Sequence, residues 1–147
     1  MNHIDPSANS PITIAQVREA LQYNDITSKI AYIDSSEYIS FNYKDFEYRL
    51  NCNDLPFVSV TMCFEYDPEK EDVELMKDAA QYVSVRSCGA AVFVVPEYNY
   101  WFAGYDIFAD TSTYLKENLL LFLEHVGYAA GYFYEYYENR KSKHSKR

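Results

Sequence analysis

Few residues of this chain have the types and spacing that enzymatic chemistry requires. Paired carboxylates can act as a general acid and a general base, and Asp106 and Asp110 form such a candidate pair. On an extended strand the two side chains share a face, but they are about 13 Å apart, too far to act together in one small site. Asp110 or Thr111 is instead placed to cap the helix that follows. We therefore expect no catalysis by this pair.

His125 is the other candidate, because histidine changes its charge near neutral pH. It stands beside Glu124 in a helical segment, where a surface or hydrogen-bonded role is favoured over catalysis. The sequence also contains no glycine-rich phosphate loop and no G-x-S-x-G nucleophile turn. The sequence thus predicts a protein that is not an enzyme. A deep pocket that holds perturbed carboxylates or His125 would argue against this prediction.

Neither a metal site nor a disulfide framework is indicated. The three cysteines are Cys52, Cys63 and Cys88. They form no C-x-x-C pair, and no histidine stands at a ligand-like spacing from them. The acidic segment 67–72 lacks the central glycine and alternating oxygen ligands of a calcium loop, so the electrostatics of a helix start explain it better. We expect reduced thiols, no metal and no cofactor.

Aromatic residues are better candidates for binding than for chemistry. The chain has 16 Tyr, 9 Phe and 1 Trp. An aromatic hairpin with Tyr98, Tyr100 and Trp101 is the candidate protein-binding patch, because exposed aromatic side chains near a sheet edge supply contact area at little entropic cost. A small-molecule sensor is the alternative, with Trp101, Tyr105 and Tyr132 lining a cavity between the sheet and a helix. For Trp101, Tyr105 and Tyr132, core packing is favoured over lining a cavity.

Length and charge restrict the class of protein further. A chain of 147 residues, 48% of them hydrophobic, has the size of one domain with one core. We expect a flexible N-terminus at 1–12, a single α+β domain at 13–138 and a basic disordered tail at 139–147. The net charge of −9 disfavours binding to nucleic acid, whose phosphates repel an acidic surface. No apolar run approaches the roughly 20 residues of a membrane span, and no signal-peptide core is present, so we expect no membrane contact and a cytoplasmic location.

The apolar segment 114–137 is the element on which the others are expected to pack. Its apolar residues recur at steps of four and three, which places them along one side of an α-helix. Additional leucines widen this stripe. A helix that is apolar around so much of its circumference must be covered on more than one side.

The remaining segments predict an antiparallel sheet and two further helices. One helix begins at the capping box of Thr13 and Gln16, and another at Asp67, where Pro68 suits the first helical position. Residues 29–34 fit a short strand or an extended loop equally well. Alternating or continuous apolar patterns indicate strands at 38–43, 46–52, 57–64, 90–95 and 100–109, with turns at Lys44-Asp45 and 53–56. The resulting order is α-β-β-β-α-β-β-α, with the helices packed on one face of the sheet.

The two most apolar strands, 90–95 and 100–109, have side chains on both faces that require cover. Two short helices and one long helix cannot easily cover both sides of the sheet, so we expect a homodimer in which a second copy covers the other side. The alternative is a monomer whose tyrosine hydroxyls reach water from that face.

This order of elements resembles that of the YbjN family and of the related type III secretion chaperone-like fold. The resemblance covers residues 13–137 and rests on a short first helix, the meander YISFNYKDFEYRLNCN and FVSVTMCF, the helix VELMKDAAQYV, the hairpin AAVFVVP with YWFAGYDIFA, and the final aromatic-rich helix. It implies a small, acidic, homodimeric α+β protein without a catalytic centre. It also implies a chaperone-like or regulatory module that binds another polypeptide.

Overall fold

A computed structural model describes residues 12–145 of the chain, with side chains as far as His144. The flexible segment expected at 1–12 therefore lies outside the described residues, apart from Ile12. The helices are α1 (Ile14–Tyr23), α2 (Val73–Arg86) and α3 (Ser112–Ser145). The strands are β1 (Ser28–Ile33), β2 (Ser36–Tyr43), β3 (Phe46–Asp54), β4 (Phe57–Glu65), β5 (Ala91–Val95) and β6 (Tyr100–Phe108).

The strands form one antiparallel sheet of six strands in the order β1-β2-β3-β4-β6-β5. The α+β class expected from the sequence is confirmed. Of residues 29–34, which fitted either a strand or a loop, 29–33 belong to β1 and Asp34 lies in the turn that follows. Consequently α2 is preceded by one strand more than the three that the sequence predicted.

Tight two-residue turns set the register of the first three strands. Asp34-Ser35 joins β1 to β2 and Lys44-Asp45 joins β2 to β3, and all four residues have positive φ. Positive φ at both central residues is the geometry of the type I′ turn, whose twist matches that of a hairpin. The predicted turn at Lys44-Asp45 is confirmed. It places Phe41 opposite Tyr48, and their rings stack with centroids 5.7 Å apart.

The described chain divides into two compact units, and the boundary crosses β4, β6 and α3. The first unit contains residues up to 59 together with 106–121, and the second contains 60–105 and the rest of α3. Each is described by itself below.

In the first unit, α1 is held at both ends by hydrogen bonds. Thr13 Oγ1 accepts from the backbone N–H of Gln16, and Gln16 Oε1 accepts from the backbone N–H of Thr13, which confirms the predicted capping box. At the other end, the side-chain amide of Asn24 donates to the carbonyls of Ala20 and Lys116. The second of these bonds joins the end of α1 to the first turns of α3.

In the second unit, α2 and α3 each bury one apolar stripe. The buried residues of α2 are Leu75, Met76, Ala79, Ala80 and Val83. Those of α3 in this unit are Leu123, Val126, Ala129, Ala130, Phe133 and Tyr137. Their spacing of three and four residues is the pattern expected for a helix face that lies against a sheet.

The start of α2 differs from the sequence prediction. Asp67 was predicted to be its N-cap, but Asp72 is the N-cap, and its carboxylate accepts from the backbone N–H of Leu75. Asp67 instead begins a separate turn: its side chain accepts from the N–H of Glu69 and its carbonyl accepts from those of Lys70 and Glu71. The prediction was wrong because both aspartates have cap chemistry, and a bond remote in sequence distinguishes them: the Tyr137 hydroxyl accepts from the N–H of Asp72.

The C-terminal segment also differs from expectation. The sequence predicted a disordered tail from 139, whereas α3 continues to Ser145. Lys141 explains part of this difference, because its Nζ lies 2.8 Å from the carboxylate of Glu71. The same carboxylate accepts a hydrogen bond of 2.6 Å from the hydroxyl of Tyr137. These bonds tie the last turns of α3 to the segment before α2.

The two hydrogen bonds change the ionisation of Glu71. Burial alone would raise the pKa of its carboxyl, but the bonds from Lys141 and Tyr137 outweigh burial and hold the pKa below its ordinary value of 4.5. A group whose pKa is lowered by folding stabilises the fold above its ordinary pKa, and this contribution is lost as the pH falls through the folded-state value.

Replacing Glu71 with Gln is expected to lower the free energy of unfolding by about 1 kcal/mol at pH 7, because a charged acceptor is lost from a partly buried cluster. The difference from the unmodified protein should shrink as the pH falls below 4.5. Urea unfolding at several pH values measures both effects. Glu74→Gln is the matched control, since Glu74 forms only an exposed pair with Lys77, and its effect should stay within about 0.5 kcal/mol. A Glu71→Gln effect that is the same at all pH values would contradict this account.

Candidate functional site

The structure separates the three residues predicted to form a protein-binding patch. Tyr98 lies in a 3-10 turn between β5 and β6 and its side chain is 77% exposed. Tyr100 is half-buried at the start of β6. Trp101 is only 7% exposed, because successive side chains of a strand point to opposite faces of the sheet and Trp101 points to the covered one.

The indole of Trp101 lies in the core of the second unit. Its ring centroid is 4.4 Å from that of Phe64 on β4 and 4.4 Å from that of Phe133 on α3. The indole of Trp101 therefore packs inside the protein and does not offer exposed contact area to a partner. The role of Tyr98 and Tyr100 in binding a polypeptide stays a prediction.

The open side of the β5–β6 hairpin carries an exposed aromatic surface of which the sequence singled out Tyr100 alone. Phe93 of β5 is 53% exposed and stacks on Phe102 of β6, with ring centroids 5.2 Å apart. Tyr100 lies 6.2 Å from Phe102, and Val95 pairs with Tyr100 across the hairpin. We call Phe93, Val95, Tyr100 and Phe102 the hairpin face. Because β5 is apolar at every position, its sequence does not show which of its side chains are covered.

The backbone of β5 is partly covered along its outer edge. β5 is the last strand of the sheet, and the hydroxyl of Ser84 on α2 lies beside it. This hydroxyl accepts from the N–H of Val92 at 2.8 Å and donates to the carbonyl of Val92 at 3.2 Å. Ser84 thus occupies the backbone groups of Val92 that another strand would use. A partner at the hairpin face would make contact through side chains at this point.

The residues proposed to line a small-molecule cavity make different aromatic contacts. Trp101 packs on Phe64 and Phe133, as described above. Tyr105 packs instead on Phe122, with centroids 5.3 Å apart, and against the ring of His125. Tyr132 belongs to a different cluster and contacts Tyr82 and Tyr128. The three candidates thus belong to three separate sets of contacts.

Two of the residues considered for catalysis, Asp106 and His125, have hydrogen-bond partners. Asp106 accepts a hydrogen bond of 2.6 Å from the hydroxyl of Ser59. His125 Nε2 lies 3.1 Å from the carbonyl of Cys88. Thr111 accepts from the N–H of Tyr114, which confirms one of the two caps proposed for the long helix. Asp106 belongs to the first unit and His125 to the second.

None of the cysteines, all of which the structure describes, forms a disulfide. Cys52 is buried, and burial, with a smaller effect from the charge of Glu37, raises the pKa of its thiol to about 11. This thiol is therefore protonated at neutral pH. Cys63 and Cys88 are exposed. Over residues 12–145, no three His, Cys, Asp or Glu side chains are grouped as possible metal ligands, and no helix is long and apolar enough to cross a membrane.

Solved structures share this fold. The crystal structure of an uncharacterized protein from Methanothermobacter thermautotrophicus aligns with a TM-score of 0.64 at 13% identity, over 86% of this chain and 96% of that one. A chain in the structure of the HopA1–SchA chaperone–effector complex aligns with a TM-score of 0.51 at 11% identity, over 84% of this chain and 98% of that one. No family model matches the sequence, and no curated protein matches it significantly. The likeness confirms the chaperone-like α+β fold, and at these identities it shows the fold alone.

Replacing Trp101 with Ala is expected to lower the free energy of unfolding by about 3–5 kcal/mol, because it removes a large side chain from between two aromatic rings and leaves a cavity. Chemical denaturation followed by circular dichroism measures the loss. Tyr98→Ala is the matched control, since Tyr98 is an exposed aromatic residue of the same hairpin and its replacement should change stability by no more than about 0.5 kcal/mol. Equal stabilities of the two variants would place the indole outside the core.

Proposed function

We propose that this protein is a non-catalytic, chaperone-like module that binds another polypeptide through the hairpin face. The observation that carries the proposal is the exposed stack of Phe93 on Phe102 beside Tyr100. Aromatic side chains that are held in place by their neighbours provide binding area at a low cost in conformational entropy. The chaperone-like fold supports the same function, because a chain of a chaperone–effector complex shares it.

We also propose a distant relationship to the YbjN family and a cytoplasmic location. The family relationship is supported by the order of helices and strands and by the aromatic-rich final helix. The location is supported by the thiols, because exposed Cys63 and Cys88 side chains are typical of a reducing compartment.

Replacing Phe93 with Ser should abolish polypeptide binding while the fold is kept, because an exposed stacked ring is lost from the centre of the hairpin face. The protein is purified gently from its own host, and native mass spectrometry then detects any bound polypeptide. Val85→Ser is the matched control: Val85 is an exposed apolar residue of the same unit, on α2, and its replacement should leave binding unchanged. Retention of the same bound polypeptide by Phe93→Ser would assign binding to another surface.

We further propose that the chain forms a homodimer through the open face of the sheet in the first unit. Phe57 of β4 and Phe108 of β6 are both exposed there, with ring centroids 5.3 Å apart. The hydrogen bond between Ser59 and Asp106 lies next to them on the same two strands. A pair of exposed phenylalanines with a satisfied polar pair beside it is a surface that a second copy would cover.

Light scattering across the micromolar range tests this dimer. The unmodified protein should have the mass of two chains, and Phe108→Ser should shift it toward one chain at the same concentration, because apolar area at the contact is lost. Tyr23→Ser is the matched control, since Tyr23 is an exposed aromatic residue of the same unit on α1. A single-chain mass for the unmodified protein throughout this range would rule out the dimer.

A further inference from the structure

The second unit has an open groove on α3, lined by Tyr128, Gly131, Tyr132, Tyr134 and Glu135, with a volume of about 730 Å³. We call it the tyrosine groove. Tyr128 is 62% exposed and Tyr134 is 58% exposed, on either side of Gly131. The rings of Tyr128 and Tyr132 are nearly perpendicular, at 81°, with centroids 6.0 Å apart. They form two walls that meet at a corner, and the carboxylate side chain of Glu135 belongs to the same lining.

Gly131 forms the floor of the groove, and packing within the chain does not require a glycine there. A Cβ atom added at this position would meet nothing within 4 Å. A glycine inside a helix is destabilising relative to alanine, so the usual internal reason for keeping one is a close contact with the rest of the protein. Among the described residues, Gly131 makes no such close contact. The space above Gly131 is therefore open to a ligand from outside the chain.

Neighbouring tyrosines show which chemical group such a surface accepts. The guanidinium of Arg86 lies 3.6 Å from the centre of the Tyr82 ring. Tyr82 stacks on Tyr136 at 4.1 Å and packs edge-on against Tyr132, a wall of the groove. The same cluster thus already binds an arginine of this chain on a tyrosine face. Planar guanidinium groups favour such stacking and pair with carboxylates through two hydrogen bonds.

We propose that the tyrosine groove binds an arginine side chain of the polypeptide partner. The guanidinium lies against the rings of Tyr128 and Tyr132 and pairs with the carboxylate of Glu135, while the aliphatic part of the side chain passes over Gly131. The carboxylate of Glu135 in the lining favours a cationic occupant, and the chain as a whole carries a net charge of −9. The inference rests on the proposed function, and it names a second contact with the same class of partner at a different surface.

Titration of the full chain with Nα-acetyl-arginine amide, followed by NMR, tests the proposal. The ring signals of Tyr128 and Tyr132 and the amide signal of Gly131 should shift together with one dissociation constant. Nα-acetyl-citrulline amide is the matched probe, since it has nearly the same shape without the charge, and it should bind at least about fivefold more weakly. Equal binding of the two probes, or shifts that do not include the groove, would overturn the proposal.

Three variants locate the binding. Tyr132→Leu and Glu135→Gln should each weaken binding of the arginine probe about fivefold. Gly131→Ala should weaken it as well while the protein unfolds at the same or a higher temperature, which separates a filled groove from a damaged fold. Tyr23→Leu and Glu74→Gln are matched controls on other exposed helix surfaces and should leave binding unchanged. Unchanged binding in Tyr132→Leu and Glu135→Gln would place the arginine elsewhere.

The hairpin face and the tyrosine groove are distinguished by one further variant. Phe93→Ser removes the aromatic stack of the hairpin face and should leave binding of the arginine probe unchanged. Loss of the bound polypeptide in Phe93→Ser, together with no effect of Tyr132→Leu on the arginine probe, would overturn the groove and support the hairpin face. Retention of the bound polypeptide in Phe93→Ser, together with weaker binding of the arginine probe in Tyr132→Leu, would support the groove and overturn the hairpin face.

Discussion

The two-residue period of strand β6 is the constraint on which the core and the exposed surface of the second unit both depend. Side chains of a strand must alternate between the faces of its sheet. Trp101 and Ala103 therefore lie on the covered face, and Tyr100 and Phe102 lie on the open one. A shift of one residue would exchange the two sets completely. The contacts of Trp101 with Phe64 and Phe133 thus fix the register that presents Phe102 to solvent.

Much of the fold follows from local patterns in the sequence. Alternation along β3, where Tyr48, Leu50 and Cys52 are buried, predicts a strand with one covered face. The turn predicted at Lys44-Asp45 also indicates that β2 pairs with β3 as a hairpin. β1 was ambiguous because an edge strand with little cover has exposed apolar residues, such as Tyr32 and Ile33, on both faces. β1 is a strand because it pairs with β2. Local sequence patterns do not show this pairing.

The candidate site was harder to predict, since patterns identify two faces of a strand without saying which is covered. Three roles were open for Trp101 from the sequence, an exposed binding residue, a cavity wall or a core residue, and the long-range contact with Phe133 shows the core role. Contacts between residues distant in sequence also determine where α2 begins and how far α3 extends. The bond of Tyr137 to Asp72 favours that residue over Asp67 as a cap, and the contact of Lys141 with Glu71 stabilises a helix where basic composition alone suggests a tail.

The hydroxyl of Ser84 has a consequence for the solubility of the protein. Outer strands of sheets are the places where chains join edge to edge and form aggregates, and the risk is greatest when the strand is as apolar as β5. By satisfying both backbone groups of Val92, Ser84 interrupts the row of free donors and acceptors that another strand would need. The protein can therefore expose Phe93 on the face of the sheet without offering β5 at Val92 as a template for uncontrolled polymerisation.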